Sequence, residues 1–103
     1  MVKHVIIWNF PEGMSETDRI LNGQKIKAGL ESLKGQIDGL LDIHVYNEML
    51  PTATGELMLD STFEDAASLN AYSVHPAHVR VATEIVRPAT CNRRCVDFEL
   101  PNN

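Results

Sequence analysis

The fold is decided by the first apolar stretch of the chain, Lys3-His4-Val5-Ile6-Ile7-Trp8-Asn9-Phe10. It is rich in β-branched and aromatic residues, and Pro11 and Gly13 end it, so the pattern predicts a β-strand. Both faces of this strand are largely apolar: one carries His4, Ile6, Trp8 and Phe10, and the other carries Val5 and Ile7. An antiparallel sheet usually has one solvated face and a cleaner alternation. We therefore expect both faces of the sheet that contains this strand to be covered.

The rest of the chain predicts three more strands and the helices that connect them. Ser15 is a suitable N-cap for a first helix, whose apolar face runs through Ile26, Leu30, Leu33 and Ile37, with Gly35 and Gly39 at its end. Strands are predicted at 40–47, 56–63 and 93–100, and helices at 64–72 and from Pro76 to about Arg87, the latter with Val79, Ala82, Ile85 and Val86 facing inward. The order β-α-β-β-α-β is that of a ferredoxin-like α+β fold, with a four-stranded antiparallel sheet and the helices on one face.

The second face of the sheet then needs another cover. A second copy of the chain is the simplest one, which predicts a homodimer packed sheet to sheet as a dimeric α/β barrel. Polar residues of the other strands make this face mixed rather than dry: Asp42, His44, Asp60, Asp97 and Arg93.

Composition and charge narrow the functional classes. The chain has 103 residues, which we interpret as one domain spanning 1–103, and a net charge of −5. An acidic chain without a basic cluster is a poor nucleic-acid binder, and no apolar run approaches the ~20 residues that span a bilayer. We expect a cytoplasmic protein with free thiols, because Cys91 and Cys95 on one strand lie too far apart for a disulfide.

One segment indicates chemistry: Tyr72-Ser73-Val74-His75-Pro76-Ala77-His78. Pro76 is suited to the first turn of a helix, which puts His75 just outside that helix and His78 in its first turn. A histidine can accept a proton near neutral pH, and a tyrosine hydroxyl can hydrogen-bond an enolate oxygen. The segment therefore brings together a base and a hydroxyl at a helix–helix junction.

These motifs resemble the stress-responsive dimeric α/β-barrel family, also called Dabb. The resemblance runs along nearly the whole chain and rests on Val2-Lys3-His4-Val5-Ile6, Thr62-Phe63-Glu64, Tyr72 with His75-Pro76-Ala77-His78-Val79, and Val96-Asp97-Phe98-Glu99. It implies a homodimer whose two sheets form a central barrel with the helices outside. A plant member of the family is a polyketide cyclase, and its catalytic His and Tyr match His78 and Tyr72, while a strand histidine in its pocket matches His4.

Two positions depart from that cyclase and are expected to narrow or recharge the pocket. Trp8 replaces a smaller aliphatic residue, and Arg80 stands where the cyclase has a glycine. The cyclase's own substrate therefore does not transfer to this chain.

Three functions follow from these residues. The first is a cofactor-independent enzyme acting on a small hydrophobic carbonyl compound, with catalytic His78 and Tyr72 and a pocket lined by His4, Ile6, Trp8, Leu59, His75 and Val79. It predicts a cavity between helices and sheet near residues 72–80. The second is a non-catalytic, stress-associated oligomer or binding protein with a filled interior, in which the histidine and tyrosine are structural. The third is a cofactor-free monooxygenase-like enzyme. No metal site is predicted, because His75 and His78 alone are too few ligands for structural zinc.

Overall fold

A computed structural model of the protein describes residues 1–101 and has the predicted order of elements. Its strands are β1 (Val2–Asn9), β2 (Leu40–Tyr46), β3 (Leu57–Phe63) and β4 (Cys91–Glu99). Its helices are α1 (Glu16–Glu31), α2 (Ala66–Val74) and α3 (Pro76–Val81), and α3 continues into a π-helical turn (Ala82–Val86) and a 3-10 turn (Arg87–Ala89). The sheet order is β2-β3-β1-β4 with antiparallel neighbours, which confirms the ferredoxin-like fold.

Strand β1 lies in the interior of the sheet, and its two faces differ in burial. Its even-numbered residues are buried beneath the helices, and its odd-numbered residues are half-buried on the opposite face, which no helix of the described residues 1–101 covers. We call this second surface the open face. It continues on β4 at Val96 and Phe98, which are 58% and 43% exposed. The two-sided apolar pattern of β1 thus corresponds to one covered and one uncovered face.

Helix α1 begins as predicted and ends earlier than predicted. The Ser15 side chain accepts a hydrogen bond from the Asp18 backbone N–H, which caps the first turn. The helix ends at Glu31, yet Leu33 and Ile37 are still buried, because the following turns fold them back onto the core. Gly35, which has a φ of +86°, adopts the left-handed backbone that such turns require.

The second helical region changes pitch, and this alters which residues face the core. Asp65 caps α2, and His75 separates α2 from α3, with Pro76 in the first turn of α3. The prediction that Val79 faces inward is wrong, since its side chain is 43% exposed. The π-helical turn places Val81 and Val86, five residues apart, on the buried side instead. Within residues 1–101, no helix combines the length and apolar character needed to cross a bilayer.

Strand β4 has the opposite face assignment from the one expected. Its pairing with β1 sets Asp97 opposite His4 and Cys95 opposite Ile6, so both side chains lie on the helix side of the sheet. Asp97 and Arg93 were expected on the open face, and this is wrong because both border the cavity beneath the helices. Cys91 and Cys95 are free thiols.

Candidate active site

A cavity of about 540 Å³ lies between the β1–β4 edge of the sheet and the second helical region. This volume falls in the range typical of small-molecule sites, roughly 300–1,000 Å³. One part of the lining is apolar: Ile6, Trp8, Leu69, Ala82 and Val86. The other part can donate, accept or carry charge: His4, Asn70, Tyr72, Ser73, His78, Arg87, Arg93, Cys95 and Asp97.

Most of the predicted site residues meet in this cavity, and three do not. The cavity is lined by His4, Ile6, Trp8, Tyr72 and His78. Leu59 is instead fully buried in the core, and Val79 lies on the outer surface. His75 caps α3, where its Nδ1 accepts a hydrogen bond from the Ala77 backbone N–H at 3.1 Å. Arg80 is exposed outside the cavity lining, so the expected change in pocket charge does not come from it.

The two motif residues of the second helical region stack against each other at the cavity. The rings of Tyr72 and His78 are 4.2 Å apart between centroids, with an interplanar angle of 36°. The Nδ1–H of His78 donates to the Ser73 carbonyl at 3.3 Å. Because a carbonyl only accepts, this bond favours the tautomer in which Nε2 carries the lone pair. The Tyr72 hydroxyl is buried and has no hydrogen-bond partner within residues 1–101.

A second histidine is oriented by the edge strand. His4 is buried, and its Nδ1–H donates to Asp97 Oδ1 at 2.5 Å. The Cys95 thiol donates to the same carboxylate oxygen, with a Sγ–Oδ1 distance of 3.4 Å. The His4 ring also meets Tyr72 edge to face, with 6.2 Å between centroids. Two histidines from different elements therefore pack against the Tyr72 ring.

The ionisation of the site groups follows from burial and nearby charge. Burial lowers the pKa of His78; the hydrogen bond to Ser73 opposes this shift, and the nearby charges of Arg87 and Arg93 add to it. Burial raises the pKa of Tyr72, which keeps its hydroxyl protonated. At neutral pH the cavity thus pairs an uncharged imidazole with a phenol that can donate a hydrogen bond.

The carboxylate and thiol near His4 respond to the same two causes. Burial opposes the ionisation of Asp97, but hydrogen bonds from His4 and Cys95 outweigh it and lower the pKa of Asp97. Burial and the adjacent Asp97 raise the pKa of Cys95, so the thiol form persists. Asp97 is therefore the anionic partner that holds His4 in position.

Four of the ionisable residues in the cavity were not predicted from the sequence as site residues: Arg87, Arg93, Cys95 and Asp97. The β1–β4 register brings in Asp97 from a position 93 residues away from His4. The sequence shows that the side chains of β4 alternate between two faces of the sheet. It does not show which of the two sets of side chains faces the helices. The one signal for Asp97 in the sequence was His4 on β1, whose ring N–H can donate to a carboxylate.

The same cluster has the donors for a metal ion. Ligand atoms of His4, Cys95 and Asp97 all lie within 4.8 Å of one another. Nitrogen, sulfur and carboxylate oxygen donors suit Zn²⁺, and three protein ligands leave a coordination position open toward the cavity. His75 and His78, which were considered as a pair, bond to separate backbone groups.

The sequence also matches a known family over nearly its whole length. The model of the stress responsive A/B barrel domain, Dabb, covers residues 2–100. The chain belongs to this family. No match was found among curated proteins.

Solved structures of Dabb-like fold support the architecture. A dimeric ferredoxin-like protein of unknown function from Bacteroides fragilis has a TM-score of 0.89 and 26% identity, covering 96% of this chain and 95% of its own. A dimeric ferredoxin-like protein of unknown function from Jannaschia has a TM-score of 0.70 and 26% identity, covering 96% and 98%. A hydroxynitrile lyase from Passiflora edulis has a TM-score of 0.77 and 16% identity, covering 99% and 94%. At that identity the lyase shares the fold alone.

Proposed function

We propose that this Dabb protein is a homodimeric enzyme that transfers protons on a small hydrophobic carbonyl compound without a cofactor. The observation that carries the proposal is the cavity itself, in which an uncharged histidine stacks on a tyrosine whose buried hydroxyl lacks a partner. A buried hydroxyl without a partner costs stability in the free protein, and a bound oxygen acceptor would remove that cost. Such an arrangement favours a ligand oxygen at Tyr72.

Each group has a chemical role in this proposal. The Nε2 atom of His78 accepts a proton from the carbon next to the carbonyl group, as a general base. The Tyr72 hydroxyl donates a hydrogen bond to the enolate oxygen that forms. His4, oriented by Asp97, packs edge to face against Tyr72 and binds the carbonyl end of the substrate. Carbon–carbon bond formation or cleavage next to a carbonyl, as in an aldol cyclisation, can use such a general base and hydrogen-bond donor.

The homodimer rests on the open face. Val96 and Phe98 on β4 and Tyr46 on β2 expose large apolar surface there, next to the half-buried Val5 and Ile7 of β1. An exposed apolar patch on a sheet marks an interaction surface. The relatives described as dimeric support a second copy of the chain as its cover.

The test combines ligand binding with substitution of the base. Thermal denaturation is measured against hydrophobic phenols, β-keto acids and quinols, and each hit is repeated with His78→Ala. A ligand at 100 times its Kd stabilises the native state by about 2.7 kcal/mol, which is readily detected. His75→Asn is the matched control, because asparagine also caps helices and this side chain lies outside the cavity.

The expected result is a ligand-dependent rise in melting temperature, with turnover that His78→Ala removes and His75→Asn keeps. If no compound raises the melting temperature while both variants fold, a non-catalytic binding or oligomeric role replaces the enzyme. Oxygen consumption with a quinol would instead favour the monooxygenase-like reaction.

A further inference from the structure

The cavity is positively charged although the chain as a whole is acidic. Arg87 and Arg93 both line it, and among residues 1–101 Asp97 is the one carboxylate in its lining. That carboxylate is already engaged by His4 and Cys95. With a net charge of −5 for the chain, two guanidinium groups at one cavity are a local reversal of charge.

Neither arginine forms an ion pair within residues 1–101, although the charge of Arg93 helps to lower the pKa of Asp97. Several other cations have carboxylate partners, such as Lys3 with Asp60 and Lys27 with Glu31. Throughout residues 1–101, in contrast, no carboxylate lies within ion-pair distance of Arg87 or Arg93. Both residues are exposed and line the cavity, so their guanidinium groups are accessible to a ligand.

The two arginines line the same cavity as the proposed base, His78. Both arginines act on the ionisation of His78, although one follows the π-helical turn and the other lies on β4. An anionic group held by both would therefore share one cavity with the imidazole. Behind it the cavity wall is apolar, with Ile6 and Trp8 on β1.

We propose that the ligand of this cavity is a keto acid, whose carboxylate binds Arg87 and Arg93 while its apolar body and carbonyl extend toward Trp8 and Tyr72. This inference rests on the proposed function, since it names the substrate class of the same site. The planar fork of a guanidinium matches a carboxylate in geometry, and two such groups can hold both oxygens. The carboxylate then fixes the carbonyl relative to His78.

The test compares two ligands of nearly equal shape and different charge. Benzoylpropionate and its methyl ester are titrated into the protein by calorimetry, with Arg87→Gln, Arg93→Gln and the double variant. Arg80→Gln is the matched control, because Arg80 is an exposed arginine of α3 outside the cavity. We expect the acid to bind at least about tenfold more tightly than the ester, and the double variant to lose this preference. Higher salt should reduce the preference in the wild-type protein.

Equal affinity for acid and ester would overturn the inference, and so would an equal loss in the Arg80→Gln control. If the double variant does not fold, the preference for the acid over the ester is measured instead in the single variants and at higher salt. Turnover is followed separately with His78→Gln. Acid-selective binding without turnover would support the keto-acid inference and contradict the proposed enzyme. Turnover of neutral ketones without acid selectivity would support the proposed enzyme and contradict the keto-acid inference.

Discussion

Replacing Tyr72 by phenylalanine should move stability and activity in opposite directions. The substitution removes one oxygen and leaves the ring in contact with Phe63, at 4.9 Å between centroids, and with His78, at 4.2 Å. Tyr72 is 1% exposed, and its hydroxyl has no partner in the described residues. An unsatisfied buried polar group costs about 1–3 kcal/mol, so its removal should leave the free energy of unfolding unchanged or raise it by about 1 kcal/mol.

Turnover should fall at the same time. Loss of one hydrogen-bond donor to a developing oxyanion typically lowers kcat by about 10²–10³-fold. Melting temperature is measured by calorimetry at one fixed protein concentration, because the proposed dimer would make it concentration-dependent. For a domain of this size, 1 kcal/mol corresponds to a shift of roughly 4–8 °C.

The refuting result is a variant that melts lower by several degrees and loses activity only in proportion to its folded fraction. That outcome would assign the hydroxyl a structural hydrogen bond rather than a ligand. Tyr46→Phe serves as the control for turnover, because Tyr46 lies outside the cavity and phenylalanine keeps its aromatic ring on the open face. Its turnover should equal that of the wild type.

Three further predictions follow from the same geometry. The acid limb of the kcat/KM profile should lie below pH 6.5, because burial lowers the pKa of His78. Arg93→Gln should move this limb to higher pH, because removing a nearby positive charge favours the imidazolium. Zn²⁺ should inhibit turnover by binding the cluster of His4, Cys95 and Asp97, as measured by inhibition titrations. A chelator should reverse this inhibition, and Cys95→Ser should weaken it. Phe98→Lys on the open face should shift the protein from dimer to monomer in light scattering, whereas Val74→Lys, at a 74% exposed site on α2, should not; a Phe98→Lys dimer would contradict the proposed interface.

Local patterns in the sequence were sufficient to predict the elements and their order. Three such features depend only on neighbours within a few residues: the alternation in β1, the Ser15 cap and Pro76 at the start of α3. The local sequence therefore specifies these interactions by itself. The same holds for the Tyr72–His78 pair, since both residues belong to one junction between helices. The family resemblance rested on these local motifs as well.

The tertiary structure alone decided the rest of the site. The π-helical turn shifted the buried face and left Val79 outside, and the β1–β4 register brought Asp97 to His4. The same register, with the 3-10 turn after α3, set Arg93 and Arg87 around one cavity. Strand alternation defines two sets of side chains, but pairing with a distant strand determines which set faces the helices. The charge of the cavity therefore depends on contacts between residues far apart in the chain, which no local pattern contains.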